Sequence, residues 1–200
     1  MKTNNKLFTL TLTALFIAIM LVMDFTPLGY ITTGLFSITL MTIPVAIGAI
    51  CIGVVPAAVL GLLFGLTSFL QAFGIGYLID PTASILFSEK PLSYVIMCFV
   101  PRIIAGISAG LVFAAFKKNG HTGIVAMSLS SVCVPVLNTS LFLTAYILLY
   151  RDTVLMGKTF MTVFISALSV NCLIEILFTV IVASAVSRVL YKYLKRIVRN

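Results

Sequence analysis

From Phe25 to Ile79 the chain runs for 55 residues without a single Asp, Glu, Lys or Arg. Soluble domains carry about 25% charged residues, so a gap of that length has no counterpart on a surface that faces water. About 20 apolar residues cross a bilayer as helix, and this stretch alone has room for two crossings. The remainder agrees with it: the 200 residues are 61% hydrophobic and 9% charged, with a mean hydropathy of +1.21. Lipid is the solvent for which such a chain is built.

Apolar runs and their breaks give six expected spans, about Leu7–Met23, Leu40–Ile52, Pro56–Phe73, Leu92–Phe116, Ile124–Tyr150 and Met161–Tyr191. Between them fall turn signals, among them Pro27 with two glycines nearby and the tight Gly53-Val54-Val55-Pro56. The expected fold is therefore an all-α integral membrane protein, a single six-helix domain over residues 1–200. An even number of spans puts both termini on one side. With those ends in the cytoplasm, Lys2, Lys6, Lys117, Lys118, Arg188, Lys192, Lys195, Arg196 and Arg199 lie inside, against Lys90, Arg151 and Lys158 outside. The excess of cations on cytoplasmic loops selects that orientation. Met1–Met23 has a basic start and an apolar run like a leader, but no small-residue cleavage pattern follows, so it reads as a retained first helix.

The formal charge of +8 does not announce a nucleic-acid partner, because no basic stripe is interleaved with stacking aromatics on a polar surface. Cys51, Cys98, Cys133 and Cys172 fall inside the spans without metal-type spacing and read as packing. The one histidine, His121, sits in a basic turn, so neither a catalytic triad nor a zinc motif can be assembled. Gly157-Lys158-Thr159 imitates the end of a phosphate-binding loop, but Asp152 stands where its first glycine belongs. Neither enzyme chemistry nor a cofactor or metal is expected. Ion-coupled transport would call for several carboxylates in the membrane, whereas Glu175 is the one placed deep in a span.

Arg102 lies about ten residues, or roughly 15 Å, into the fourth span. A central arginine costs about 2.5–3.5 kcal/mol on insertion scales, so it must meet a partner, a wet cavity or a ligand. Glu175 is at a comparable depth in the sixth span, where Asn171, Glu175 and Thr179 repeat on one face. Asn138 reaches the same level just past Pro135, whose ring frees the carbonyl of Ser131. Two readings stand: Arg102 and Glu175 pair to hold helices together, or the group receives a ligand that the guanidinium fork can grip by a carboxylate. Gln71, Thr67 and Ser68 extend toward the outer end of the third span, where helix-end capping is the competing role. Phe25, Tyr30, Phe73, Tyr77, Phe87, Tyr94 and Tyr146 read as an interfacial belt or as an aromatic mouth. Small residues recur at four-residue spacing in Ala14/Ala18, Ala57/Gly61/Gly65 and Gly106/Gly110, ridges that let helices approach closely in lipid.

In this order the motifs Thr26-Pro27-Leu28-Gly29-Tyr30-Ile31, Ile43-Pro44-Val45-Ala46-Ile47-Gly48-Ala49, Gly61 to Ser68, Pro101-Arg102-Ile103-Ile104-Ala105-Gly106 and Asn138-Thr139 resemble a known family. The chain looks like the substrate-binding S component of an energy-coupling-factor vitamin transporter, most like the pantothenate type, and the resemblance covers nearly all of it. It implies a vitamin bound from outside near Arg102, Asn138, Asn171 and Glu175. It also implies that Ala14 and Ala18 dock on a transmembrane T component driven by two cytoplasmic ATPases. Other readings are a flavin as the vitamin, a self-sufficient secondary transporter, and a structural membrane protein.

Overall fold

The computed structural model describes residues 5–32, 37–78, 81–120, 122–151 and 171–199. The helices are α1 (Asn5–Asp24), α2 (Thr42–Cys51), α3 (Val54–Leu70), α4 (Pro81–Glu89), α5 (Pro91–Lys118), α6 (Ile124–Leu149) and α7 (Asn171–Arg199). Among the described residues α1, α3, α5, α6 and α7 are long and apolar enough to cross a membrane. The second expected span is shorter: α2 has ten residues, about 15 Å of helix. Eight of those ten are buried, from Thr42 and Pro44 to Ile50, so α2 is lined by protein rather than lipid. The start of the sixth expected span, Met161 to Val170, lies outside the described residues.

Two elements depart from a purely helical reading. Tyr30–Thr32 (β1) and Ser37–Thr39 (β2) pair antiparallel, with Tyr30 opposite Thr39. Six residues of strand without sustained alternation leave no period-2 signal to detect. The short α4 fills the segment that reads as a loop; it opens on Pro81, and α5 opens on Pro91, the first-turn position where the missing N–H costs nothing. Asp24 ends α1 and, although charged, is 1% exposed.

The core runs around α2. Val45, Ala46 and Ala49 pack with Phe16 and Met20 of α1, Ala57, Leu60 and Phe64 of α3, Ala105 and Ala109 of α5 and Ala183 of α7. Entry from α2 into α3 uses Gly53 at φ 135°, a conformation closed to residues with a Cβ. The closest seam joins α3 and α5. A Cβ on Gly61 would strike the backbone carbonyl of Arg102, one on Gly106 that of Ala57, and one on Gly65 would lie 3.0 Å from the Cys98 carbonyl. The small-residue ridges of the two helices therefore face each other, backbone against backbone, and fix the level at which Arg102 is held. The outer surface is apolar, with Leu7, Leu10, Val55, Leu111, Leu148, Leu177 and Ile181 well exposed.

Candidate functional site

Arg102 is positioned by its own neighbour. Pro101 sits inside α5, and a proline leaves the carbonyl four residues earlier without its helical donor. That carbonyl belongs to Met97, and the Arg102 guanidinium supplies the missing hydrogen bond, Nη1 to O at 2.6 Å. The side chain is thereby bent back along α5, buried at 8% exposure, with its guanidinium over two rings. Its Cζ is 5.3 Å from the centroid of Phe64 on α3 and 4.7 Å from that of Phe142 on α6, within the range of cation–π attraction. Nε is buried and has no hydrogen-bond partner among the described residues.

Other buried polar atoms share that condition. Asn138 Oδ1 on α6, Glu175 Oε1 on α7, Gln71 Nε2 beyond the end of α3 and the Tyr30 hydroxyl on β1 have no hydrogen-bond partner among the described residues. Leaving such a group unsatisfied costs about 1–3 kcal/mol. Asn138 and Phe142 are one turn apart on α6, and Phe64, Thr67, Ser68 and Gln71 follow one face of α3 into the turn after it. Arg102 is within electrostatic reach of Tyr30, Tyr94, Cys98 and Glu175, and Tyr30 lies beside Thr67 and Ser68. These residues gather around Arg102 between α3, α5, α6, α7 and the hairpin; Asp24 Oδ1, Ser131 Oγ and Ser187 Oγ are buried without a partner among the described residues as well.

Arg102 and Glu175 do not hydrogen-bond to each other. The arginine spends a donor on Met97, while Glu175 Oε2 takes a long 3.5 Å bond from the Thr139 hydroxyl and Oε1 takes none. Below Glu175 on the same face, Thr179 bonds Thr42 of α2 at 2.8 Å and so ties α7 to the core. The side chain of Asn171 lies outside the described residues. Thr67 is buried and donates to the Phe64 carbonyl at 3.0 Å, and the Ser68 carbonyl accepts from the Tyr94 hydroxyl at 3.1 Å; both bonds lie in the last turns of α3. Phe142 is the residue that sequence reasoning passed over; Phe64 and Thr139 entered it only inside the motifs that carried the resemblance. Pro101 next to Arg102 was the available signal for the bent guanidinium, but aromatics inside apolar runs carry no mark of what they touch.

Chemically, the cluster offers a planar cation with a free N–H, acceptors at Asn138 and Glu175, and donors at Gln71 and Tyr30. It suits recognition of a small polar molecule carrying an acid and hydroxyl or amide groups. Midway along α1, Ala14 and Ala18 are exposed. Ala14 lines an open groove of about 640 Å³ with Lys6, Ile17, Val55, Pro56 and Val59.

Residues 8–187 match the family described as ECF transporter, substrate-specific component. The chain is 30% identical over 196 residues to the pantothenic acid transporter PanT of Lactococcus lactis subsp. cremoris, spanning 94% of this chain and 96% of that one. It is 31% identical over 131 residues to the pantothenate transporter PanT of Leuconostoc mesenteroides, covering 63% of this chain and 60% of that protein. Among solved structures, ThiT from Listeria monocytogenes superposes with a TM-score of 0.64 at 23% identity, over 94% of this chain and 99% of that one. The match over nearly the whole length, to transporters and with helices apolar enough for lipid, makes this chain a membrane protein and not an enzyme: it belongs to the family of substrate-specific components of ECF transporters.

Proposed function

We propose that the chain binds pantothenate from outside the cell and delivers it inward with an ATP-driven partner module. The observation that carries the ligand reading is the set of buried, unpartnered polar atoms around Arg102, together with the name that two relatives near 30% identity share. Pantothenate is a carboxylate joined through an amide to a dihydroxylated, dimethylated carbon chain. Arg102 takes the carboxylate, with Phe64 and Phe142 packed beside its guanidinium. Asn138 and Glu175 accept from hydroxyl or amide N–H groups, and Gln71, Thr67 and Tyr30 close the outer side, with Asn171 at the start of α7. Burial makes each of these bonds count, since water does not compete for the same atoms.

The cation distribution supports six crossings in the cell membrane with both termini cytoplasmic. In that arrangement α2 is the second crossing, bringing the five longer helices to six, and the hairpin that precedes it completes it on the outer side. The exposed Ala14 and Ala18 face, with the groove beside it, receives the transmembrane T component, itself driven by two cytoplasmic ATPases. Mass spectrometry of small molecules carried through purification tests the substrate: pantothenate is expected, and a flavin in its place would sink the proposal. Transport by the assembled complex tests the docking face: Ala14→Trp or Ala18→Trp is expected to abolish uptake while pantothenate binding persists. An unchanged complex and unchanged uptake in those variants would remove the two alanines from the interface.

A further inference from the structure

Near its end α7 changes character. It reads as an apolar span from Cys172 to Leu194, yet Arg188, Lys192 and Arg196 recur at four-residue spacing, with Val189 and Tyr193 one position further on. That spacing keeps all five on one face of a helix. Together they line a concavity of about 400 Å³, and Val189 and Tyr193 are 58% and 61% exposed. The opposite side of the helix belongs to the bundle: Ser187 and Leu194 are buried, and Tyr191 meets Phe113 edge to face at 5.6 Å. No acid follows Glu175 in the chain, and Glu175 is about 20 Å up the helix from Arg188. The ridge is thus cationic without internal neutralisation, and it sits where an apolar span gives way to water.

We propose that this ridge seats the phosphodiester headgroup of an anionic phospholipid. Three cations over two turns hold the phosphate. Tyr193 lies at the depth where aromatic rings settle in a bilayer, and Val189 meets the start of the acyl chains. Those two apolar members favour a lipid over free phosphate, which gains nothing from them. The site is independent of the vitamin reading, since it shares no residue with the Arg102 cluster.

The test is native mass spectrometry of the purified full-length chain titrated with dioleoyl phosphatidylglycerol and with dioleoyl phosphatidylcholine. Each surface cation contributes about a fivefold preference for anionic lipid, so the phosphatidylglycerol adduct is expected at a tenth or less of the concentration that phosphatidylcholine needs. The preference disappears in the triple variant Arg188→Gln, Lys192→Gln, Arg196→Gln and survives in Lys117→Gln with Lys118→Gln. Lys192→Gln alone lowers it about fivefold, which decides the matter should the triple variant fail to fold. Equal binding of the two lipids, or a preference that survives these changes on α7, overturns the proposal. So does displacement of the lipid by millimolar inorganic phosphate, which would mark a free-anion site.

Discussion

Two regions of the bundle meet at Arg102 and are built on opposite terms. On one side, the seam between α3 and α5 brings glycines against backbone carbonyls, so close that a Cβ on Gly61 or Gly106 has no place. Nothing polar in that contact awaits a partner. On the other side, towards α6, α7 and the hairpin, Arg102, Asn138, Glu175, Gln71 and Tyr30 are buried with hydrogen-bonding atoms unpartnered among the described residues. A membrane helix can be held by close approach alone. Polar atoms that the bundle desolvates and leaves unpartnered are a cost to folding, and one that a bound ligand repays. The seam fixes the frame against which the second region waits.

Substitutions sharpen that contrast. Gly61→Val pushes branched carbons into the Arg102 backbone, which cannot yield as a side chain would, and is expected to destabilise by about 3 kcal/mol, read as thermal unfolding in detergent. Wild-type stability in that variant would mean the seam is looser than it is drawn here. Glu175→Gln exchanges an acceptor oxygen for a donor while keeping the shape. It is expected to weaken vitamin binding about tenfold with the unfolding midpoint unchanged. Tyr30→Phe removes one unpartnered hydroxyl and is expected to cost about fivefold in affinity and nothing in stability. The smallest effect is expected on the stability of Arg102→Met: relief of a buried, unpaired cation offsets loss of the Met97 bond, leaving the fold within about 1 kcal/mol of wild type. A loss of about 3–5 kcal/mol there would mark Arg102 as half of a structural ion pair.

These two regions were unequally legible in the sequence. The apolar runs set α1, α5 and α6 to within about two residues, because lipid demands long uninterrupted stretches and charges stop them. Four-residue spacing marked the seam, since Ala57, Gly61, Gly65, Gly106 and Gly110 carry their packing rule in their size. Arg102, Asn138 and Glu175 stood out as polar residues deep in apolar helices, where each demands a reason. What stayed hidden depends on pairs remote in sequence: Phe64 and Phe142 both within cation–π reach of one guanidinium, and the absence of a bond between Arg102 and Glu175. The burial of Asp24 was hidden for the same reason: its carbonyl accepts from the Tyr77 amide at 2.8 Å, a contact made only when the chain returns. The bounds of α2 were as legible, Leu40–Ile52 expected against Thr42–Cys51, but the hairpin before it was not, because its apolar residues show no alternation.

The central claim is that the Arg102 cluster is where pantothenate binds. Equilibrium binding of radiolabelled pantothenate to the purified chain, wild type against Arg102→Ala, addresses it directly. The account predicts saturable binding to the wild type and a loss of about a hundredfold or more in the variant, because a buried charge would lose its counterpart, with the folded state retained. Full affinity in Arg102→Ala would contradict it.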